Sequence, residues 1–197
     1  MLRFHDYLEG SIRHILEKIP PPKTVIEIGV FEGYFTFNMT QMIAPKNKDY
    51  VHYAIDPYSG PSDALTKERI FEAEKEFVSY LNDFPYKNNI KFMKKRSWDG
   101  LMELHQKGVR ADFIYVDGDH KAAEVLEDMV LGFNLLNTGG AMLCDDSVSW
   151  CHTESNGQKP LHYSPRLAVD SFIQCNWGKI DVCILPNGYQ SAFIKRS

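Results

Sequence analysis

The sequence predicts an α/β protein with a Rossmann-like, doubly wound and mostly parallel seven-stranded sheet that carries an antiparallel edge hairpin. Two observations support this prediction. Short apolar runs alternate with stretches of helical periodicity along most of the chain, and this alternation is typical of βαβ units in a parallel sheet. Two final apolar runs flank the segment Pro186-Asn187-Gly188, which is a hairpin signal.

Each predicted element has a local cause. Residues 4–19 place apolar side chains at helical spacing, and the proline run 20–22 ends that helix. The helix before the fifth strand carries an apolar stripe over 122–136, and Gly139-Gly140 is expected to end it. A last helix is predicted near 166–175. The predicted strands are 24–28, 51–55, 90–93, 113–116, 141–144, 180–185 and 190–194.

Length, charge and hydropathy indicate how many domains and which partners we expect. The 197 residues fit one domain over 1–197, with an N-terminal helix in 1–20 and a lid or substrate loop at 147–164. The 22 basic and 26 acidic residues give a net charge of −4 and form no long basic run, so no nucleic-acid partner is expected. No apolar run approaches the roughly 20 residues that span a bilayer. We therefore expect a soluble, cytoplasmic protein without a membrane partner.

The first two strands end in residues suited to a ligand, because open parallel sheets bind ligands beyond the carboxyl ends of their strands. Gly29 and Gly33 allow a tight turn and a close approach of the backbone. A dinucleotide fingerprint would need further glycines where Phe31 and Tyr34 stand. Asp56 ends the second strand, where its oxygens can accept hydrogen bonds from a ribose diol. Capping the turn before the next proline is its alternative role.

Three carboxylates follow two strands that we expect to be neighbours. Asp117 follows the fourth strand, and Asp145 and Asp146 follow the fifth. These charges would repel one another, so a hard divalent cation such as Mg²⁺ is expected to neutralise them. Simple turn roles for the acidic pair are the alternative. His120 is a candidate base, since imidazole exchanges protons near neutral pH; a surface position at a helix start is the alternative.

Residues 24–146 resemble the metal-dependent O-methyltransferases of the class I S-adenosylmethionine-dependent fold, particularly methyltransferase family 24. They are similar to macrocin-type sugar O-methyltransferases and, more distantly, to catechol O-methyltransferases. The resemblance rests on the spacing acid-x-Gly-x-x-x-Gly from Glu27 to Gly33 and on the aspartates with His120. It implies S-adenosylmethionine as cofactor, Mg²⁺ or another divalent cation on Asp117, Asp145 and Asp146, and His120 as the base.

The resemblance also implies which residues bind the cofactor. Ser97 and Trp98 would hold the adenine after the third strand, although Ser97 could equally serve as a helix N-cap. The full predicted set comprises Glu27, Gly29, Gly33, Asp56, Tyr58, Ser97, Trp98 and Asp117.

The implied reaction is Mg²⁺-assisted O-methylation of a small hydroxylated acceptor, such as a sugar, a diol or a catechol-like molecule. The loop 147–164 matches no family signature, and its candidate substrate contacts are Trp150, His152, His162 and Tyr163. Acceptor recognition is expected from the N-terminal helix, this loop or the second subunit of a homo-oligomer. The alternatives are a metal-dependent hydrolase or hydroxylase that uses the same Asp/His cluster, and a noncatalytic cofactor-binding module.

Overall fold

Helices and strands alternate along the chain in a computed structural model, which describes residues 6–59, 66–147, 161–186 and 188–196. The helices are α1 (Asp6–Leu16), α2 (Tyr34–Ile43), α3 (Lys67–Asp83), α4 (Ser97–Gln106), α5 (Ala122–Leu135) and α6 (Pro165–Cys175). The strands are β1 (Thr24–Ile28), β2 (Val51–Ile55), β3 (Ile90–Met93), β4 (Ala111–Val116), β5 (Leu136–Cys144), β6 (Ile180–Cys183) and β7 (Ser191–Lys195).

The seven strands form one sheet in the order β3-β2-β1-β4-β5-β7-β6. Strands β1 to β5 pair in parallel, whereas β7 runs antiparallel between β5 and β6. The predicted fold and its antiparallel edge pair are therefore confirmed. The strand order reverses between β1 and β4, which places a crevice for a ligand beyond the carboxyl ends of these two strands.

Side-chain alternation gives the sheet a core on each face. On one face, Ile26 and Ile114 pack in the same cluster as Met129 of α5 and Phe172 of α6. On the other face, Val25 belongs to a cluster with apolar residues of α1 and α2. Because β1 and β4 pair in register, Glu27 lies beside Tyr115 on this second face.

The boundary between α5 and β5 differs from the prediction. Helix α5 ends at Leu135 and β5 begins at the next residue, so Gly139 and Gly140 lie inside the strand instead of ending the helix. A Cβ on Gly140 would come within 2.9 Å of the Asp112 carbonyl oxygen, next to a register shift between β4 and β5. Gly140 therefore marks a close approach of two backbones, which is a known role of glycine in a strand, whereas Gly139 has open space around it and a φ of +82°.

The loop predicted at 147–164 is described only at its ends. Trp150 and His152 lie outside the described residues. The rings of His162 and Tyr163 are tilted against each other, with centroids 4.5 Å apart and 47° between their planes. None of the helices in the described ranges is both long enough and apolar enough to cross a membrane.

Candidate active site

A cavity of about 400 Å³ opens at the carboxyl ends of β1, β2 and β4. This volume falls in the range of small-molecule sites, roughly 300–1,000 Å³. Of the residues predicted to bind a cofactor, the cavity wall contains Gly29, Asp56, Tyr58, Ser97 and Asp117. The topology thus brings these five together from four separate strand ends.

The turn after β1 requires glycine at position 29. Gly29 has a φ of +87°, and a Cβ at this position would collide with the backbone carbonyl of Asp117. Gly33 has a φ of +83°, and its Cβ would lie 2.5 Å from the rings of Phe37 and Phe77. Both glycines therefore allow a backbone path that a side chain would block.

Asp56 holds this turn in place. Its Oδ2 accepts hydrogen bonds from the amides of Val30, at 2.9 Å, and Phe31, at 3.0 Å. Its Oδ1 accepts a bond from the Tyr58 amide at 2.8 Å, and the Tyr58 hydroxyl donates to the Phe31 carbonyl at 2.5 Å. A carboxylate offers about four acceptor sites, so Asp56 keeps only limited capacity for a ligand hydroxyl.

Glu27 is placed away from the cavity wall. Its side chain is 1% exposed, and its Oε2 lies 2.8 Å from His52 Nε2 and accepts a 2.5 Å bond from the Thr36 hydroxyl. Desolvation raises the pKa of Glu27, although its bond with His52 opposes that effect. This placement favours a supporting role for Glu27 beside β2 over the direct cofactor contact that the motif implied.

Two predicted metal ligands share one hydroxyl group. The Tyr115 hydroxyl lies 3.0 Å from Asp117 Oδ2 and is also hydrogen-bonded to Asp145 Oδ2. Desolvation and the charges of Asp145 and Asp146 raise the pKa of Asp117. Asp117 is exposed to the cavity, so water reduces the desolvation and the repulsion between carboxylates remains. The single phenol proton serves two carboxyl groups, so it relieves the repulsion between them only in part.

The group of side chains best placed to hold a metal is Asp117, His120 and Asp146. One ligand atom from each lies within 4.8 Å of the others, and His120 Nε2 is 3.1 Å from Asp146 Oδ2. Asp145 lies outside this group, because its carboxylate bonds to Tyr115 and to the Asp146 amide. The structure thus groups two of the three predicted aspartates with His120 as candidate ligands, and the role of Asp145 as a ligand stays a prediction. Carboxylate oxygens suit Mg²⁺, and an added imidazole also suits Mn²⁺ or Fe²⁺.

Comparison with protein families identifies the group to which the chain belongs. The methyltransferase family 24 model, described as a methyltransferase domain, matches residues 26–147. This segment runs from β1 past the end of β5 and contains the carboxylate cluster. The chain belongs to this methyltransferase family. The resemblance predicted from the sequence motifs is therefore confirmed.

One viral protein aligns with most of this chain. Uncharacterized protein R132 of Acanthamoeba polyphaga mimivirus is 26% identical over 145 residues, which are 72% of this chain and 58% of that protein. The chain thus spans less than two thirds of the length of that relative.

Solved structures with the same fold include three from different organisms. An O-methyltransferase from Bacillus cereus in complex with SAH has a TM-score of 0.66 and 15% identity, covering 98% of this chain and 84% of that one. TomG from Streptomyces achromogenes, in complex with SAM, has a TM-score of 0.67 and 16% identity, covering 100% and 82%. SAH-bound PaMTH1 from Podospora anserina has a TM-score of 0.65 and 16% identity, covering 98% and 80%.

The two residues predicted to hold the adenine in this methyltransferase, Ser97 and Trp98, lie in different environments in the structure. Ser97 begins α4 and lines the cavity. Trp98 is 45% exposed and is absent from the cavity wall, so the structure does not place it against a ligand there.

Asp128 is a buried acidic residue of the cavity wall that the sequence motifs did not indicate; Arg96 and Glu124 also line the cavity and were not predicted. It lies on the buried face of α5, is 3% exposed and lines the cavity. Desolvation raises its pKa to about 7, although the Ser97 side chain opposes that effect. The sequence did hold a signal, because Asp128 follows Val125 by three residues and so shares its apolar helix face.

Proposed function

We propose that this methyltransferase moves the methyl group of S-adenosylmethionine to a hydroxyl oxygen of a small acceptor, with a divalent cation at the carboxylate cluster. The observation that carries the proposal is that Asp117 and His120 belong both to the cavity wall and to the candidate cation site. A cofactor in the cavity and a cation on the cluster would therefore be neighbours.

Several features of the cavity support this choice of cofactor. Gly29 lets the backbone turn closely past the end of β4, while Asp56 and Tyr58 hold that turn. S-adenosylmethionine supplies a methyl group on a positively charged sulfonium, and Asp117 places negative charge in the cavity wall. Neighbours of the same fold were solved with SAM or SAH, which supports this choice of cofactor.

The carboxylate cluster fits a divalent cation. Asp117 and Asp146 offer oxygen donors close together, and the single Tyr115 proton leaves negative charge among the neighbouring carboxylates. A bound divalent cation lowers the pKa of a hydroxyl group that it coordinates. Asp117 and Asp146 would hold the cation, and Asp145 would orient Tyr115 and the Asp146 amide. His120 lies close enough to be a further ligand, but in this proposal its ring stays off the cation and acts on the acceptor proton.

His120 is positioned to hold a proton. The Asp119 carboxylate accepts hydrogen bonds from the amides of His120, at 2.7 Å, and Lys121, at 2.9 Å, which fixes the backbone before α5. The His120 ring lies against Asp146, with 3.1 Å between Nε2 and Oδ2. We assign His120 as the group that takes the proton of the acceptor hydroxyl, with Asp146 orienting its ring.

The acceptor in this proposal is a small sugar, diol or catechol-like molecule, with no role for nucleic acid. Two adjacent oxygens on such a molecule match a cation site that keeps open positions. Residues from the loop 147–164 or from a second subunit of a homo-oligomer would complete recognition of the acceptor.

Binding and turnover measured separately test this proposal. Calorimetry should show S-adenosylhomocysteine binding without metal, and Mn²⁺ titration followed by electron paramagnetic resonance should show one bound ion. Transfer of labelled methyl to a panel of sugars, diols and catechols should stop in excess chelator. Absence of S-adenosylhomocysteine binding would favour the hydrolase alternative, and tight binding without turnover on any acceptor would favour the noncatalytic one.

Matched variants separate the roles at the cluster. Asp146→Asn should weaken Mn²⁺ binding at least about tenfold and leave the affinity for S-adenosylhomocysteine within about threefold. Asp99→Asn, which removes an exposed charge on α4, should change neither. Equal Mn²⁺ affinity in all three proteins would contradict the assignment of Asp146 as a ligand.

A further inference from the structure

Asp128 is a buried carboxyl group in the cavity wall that the proposed chemistry does not use. Its side chain is 3% exposed and lines the cavity. Its Oδ1 is shielded from solvent and has no hydrogen-bond partner among the described residues. Buried polar atoms are nearly always hydrogen-bonded in native structures. We therefore expect this oxygen to have a donor that the described residues do not supply.

Apolar residues and a second polar side chain surround Asp128 in the cavity wall. Gly118 packs closely beside it, because a Cβ there would lie 3.5 Å from Asp128 Oδ2 and 3.2 Å from Ile28 Cγ2, so a side chain at position 118 would press on both residues. Ile28, Ile55 and Ser97 also line the cavity. The pocket thus offers apolar walls with a few polar groups, the usual composition of a small-molecule site.

Two kinds of N–H donor in S-adenosylmethionine could meet this carboxyl group. The methionine part carries a cationic ammonium group, and the adenine carries a neutral amino group. Arg96 lines the cavity beside Ser97, and its positive charge would repel the ammonium group. Asp117, whose neighbours Asp145 and Asp146 are also acidic, attracts positive charge to the cluster instead.

We infer that Asp128 accepts a hydrogen bond from the exocyclic amino group of the adenine and thereby selects adenine over other bases. This inference rests on the proposed function, because it takes S-adenosylmethionine as the ligand. A protonated carboxyl group keeps one carbonyl oxygen as acceptor, so the bond can form in either protonation state. Ser97, on the facing helix, would lie beside the same base.

The test compares ligands with and without the donor. Three ligands are titrated by calorimetry: S-adenosylhomocysteine, its analogue that lacks the 6-amino group, and 5′-methylthioadenosine, which lacks the amino-acid part. Wild type should bind the 6-deamino analogue about 10- to 100-fold more weakly than S-adenosylhomocysteine, because a buried acceptor is left unpaired. Asp128→Leu should bind the two with nearly equal affinity.

Further variants keep the result interpretable. Asp128→Asn retains a carbonyl acceptor and should keep part of the discrimination. Glu127→Gln, a charge change on the same helix outside the cavity wall, should behave as wild type. Asp128→Leu should weaken 5′-methylthioadenosine and S-adenosylhomocysteine by the same factor, since both carry the amino group.

Each contrary result has its own meaning. Equal discrimination in wild type and Asp128→Leu would overturn the inference and leave the proposed function intact. A loss confined to S-adenosylhomocysteine, with 5′-methylthioadenosine unaffected, would also overturn it, because Asp128 would then bind the ammonium group. Failure of wild type to bind S-adenosylhomocysteine or 5′-methylthioadenosine would instead refute the proposed cofactor.

Discussion

Glu27 and His52 form a hydrogen-bonded pair in the interior, with 2.8 Å between Oε2 and Nε2 and at most 1% of either side chain exposed. The pair joins β1 to β2 through side chains, in addition to the backbone ladder. The Thr36 hydroxyl donates to the same Glu27 oxygen, and the Tyr50 hydroxyl lies 3.0 Å from His52 Nδ1. Removing one member therefore leaves several buried polar groups without a partner.

Glu27→Ala should lower the free energy of unfolding by about 3–5 kcal/mol, because it strands a buried polar partner. Urea denaturation followed by circular dichroism measures this change. The double variant Glu27→Leu/His52→Leu should lose less, since an apolar pair leaves nothing unpaired. Glu9→Ala breaks an exposed ion pair with Arg13 and should cost less than about 1 kcal/mol. Equal losses for Glu27→Ala and Glu9→Ala would contradict this account.

Much of the fold follows from local pattern. Proline after α1 and short apolar runs between helices placed the strands and the helices α1, α5 and α6 near their observed positions, and the topology of parallel strands then set where the site lies. The start of β5 was missed because Gly139 and Gly140 serve equally as a helix end or as a close approach between strands. Only the pairing with β4 distinguishes these roles.

The sequence predicted where the site residues lie along the sheet but not which way their side chains point. The sequence located Asp117, Asp145 and Asp146 at adjacent strand ends, whereas the hydrogen bond that turns Asp145 toward Tyr115 depends on tertiary packing. Glu27 likewise lies on the sheet face that is set by the alternation of side chains along β1. Asp128 lies in the middle of α5, so a prediction based on polar residues at strand ends cannot identify it.

The turn after β1 should be intolerant of any side chain at position 29. Gly29→Ala combines a left-handed φ with a collision against the Asp117 carbonyl, and should lower the free energy of unfolding by about 3 kcal/mol or more. Gly108→Ala is the matched control, because Gly108 also has a positive φ, of +70°, but has open space around it. Its loss should be about 1 kcal/mol, the conformational cost alone. Similar losses for both variants in urea denaturation would show that the collision is absent.

Asp56 should affect ligand binding in the cavity, because it holds the turn after β1 in place. Asp56→Asn replaces one acceptor oxygen by a donor that cannot bind amide hydrogens, so the affinity for S-adenosylhomocysteine should fall at least about tenfold. Hydrogen exchange at the amides of Val30 and Phe31 should accelerate. Asp112→Asn is the control, because Asp112 accepts two amide bonds at the opposite end of the sheet, from Lys23 and Thr24. It should reduce stability while keeping that affinity; an equal loss of affinity in both variants would contradict a specific role for Asp56.

Asp128 should make stability depend on pH. Burial raises its pKa from 3.8 to about 7 in the folded protein, against an opposing effect of Ser97. The charges of Glu127, Glu124 and Asp119 add to the rise. Because the folded state holds the proton more tightly, the stabilisation is complete below pH 3.8 and is lost as pH rises through about 7. The difference between these two pKa values corresponds to about 4 kcal/mol.

Asp128→Asn cannot titrate at this position and should remove that dependence. The free energy of unfolding, measured in urea at pH 5, 6, 7 and 8, should therefore rise in the variant relative to wild type as pH increases. Glu72→Gln, which removes an exposed charge on α3, should run parallel to wild type across the same range. A constant difference between Asp128→Asn and wild type from pH 5 to pH 8 would mean that Asp128 ionises as readily in the folded protein as in the unfolded chain. The inference that Asp128 keeps its proton more tightly in the folded protein would then be wrong.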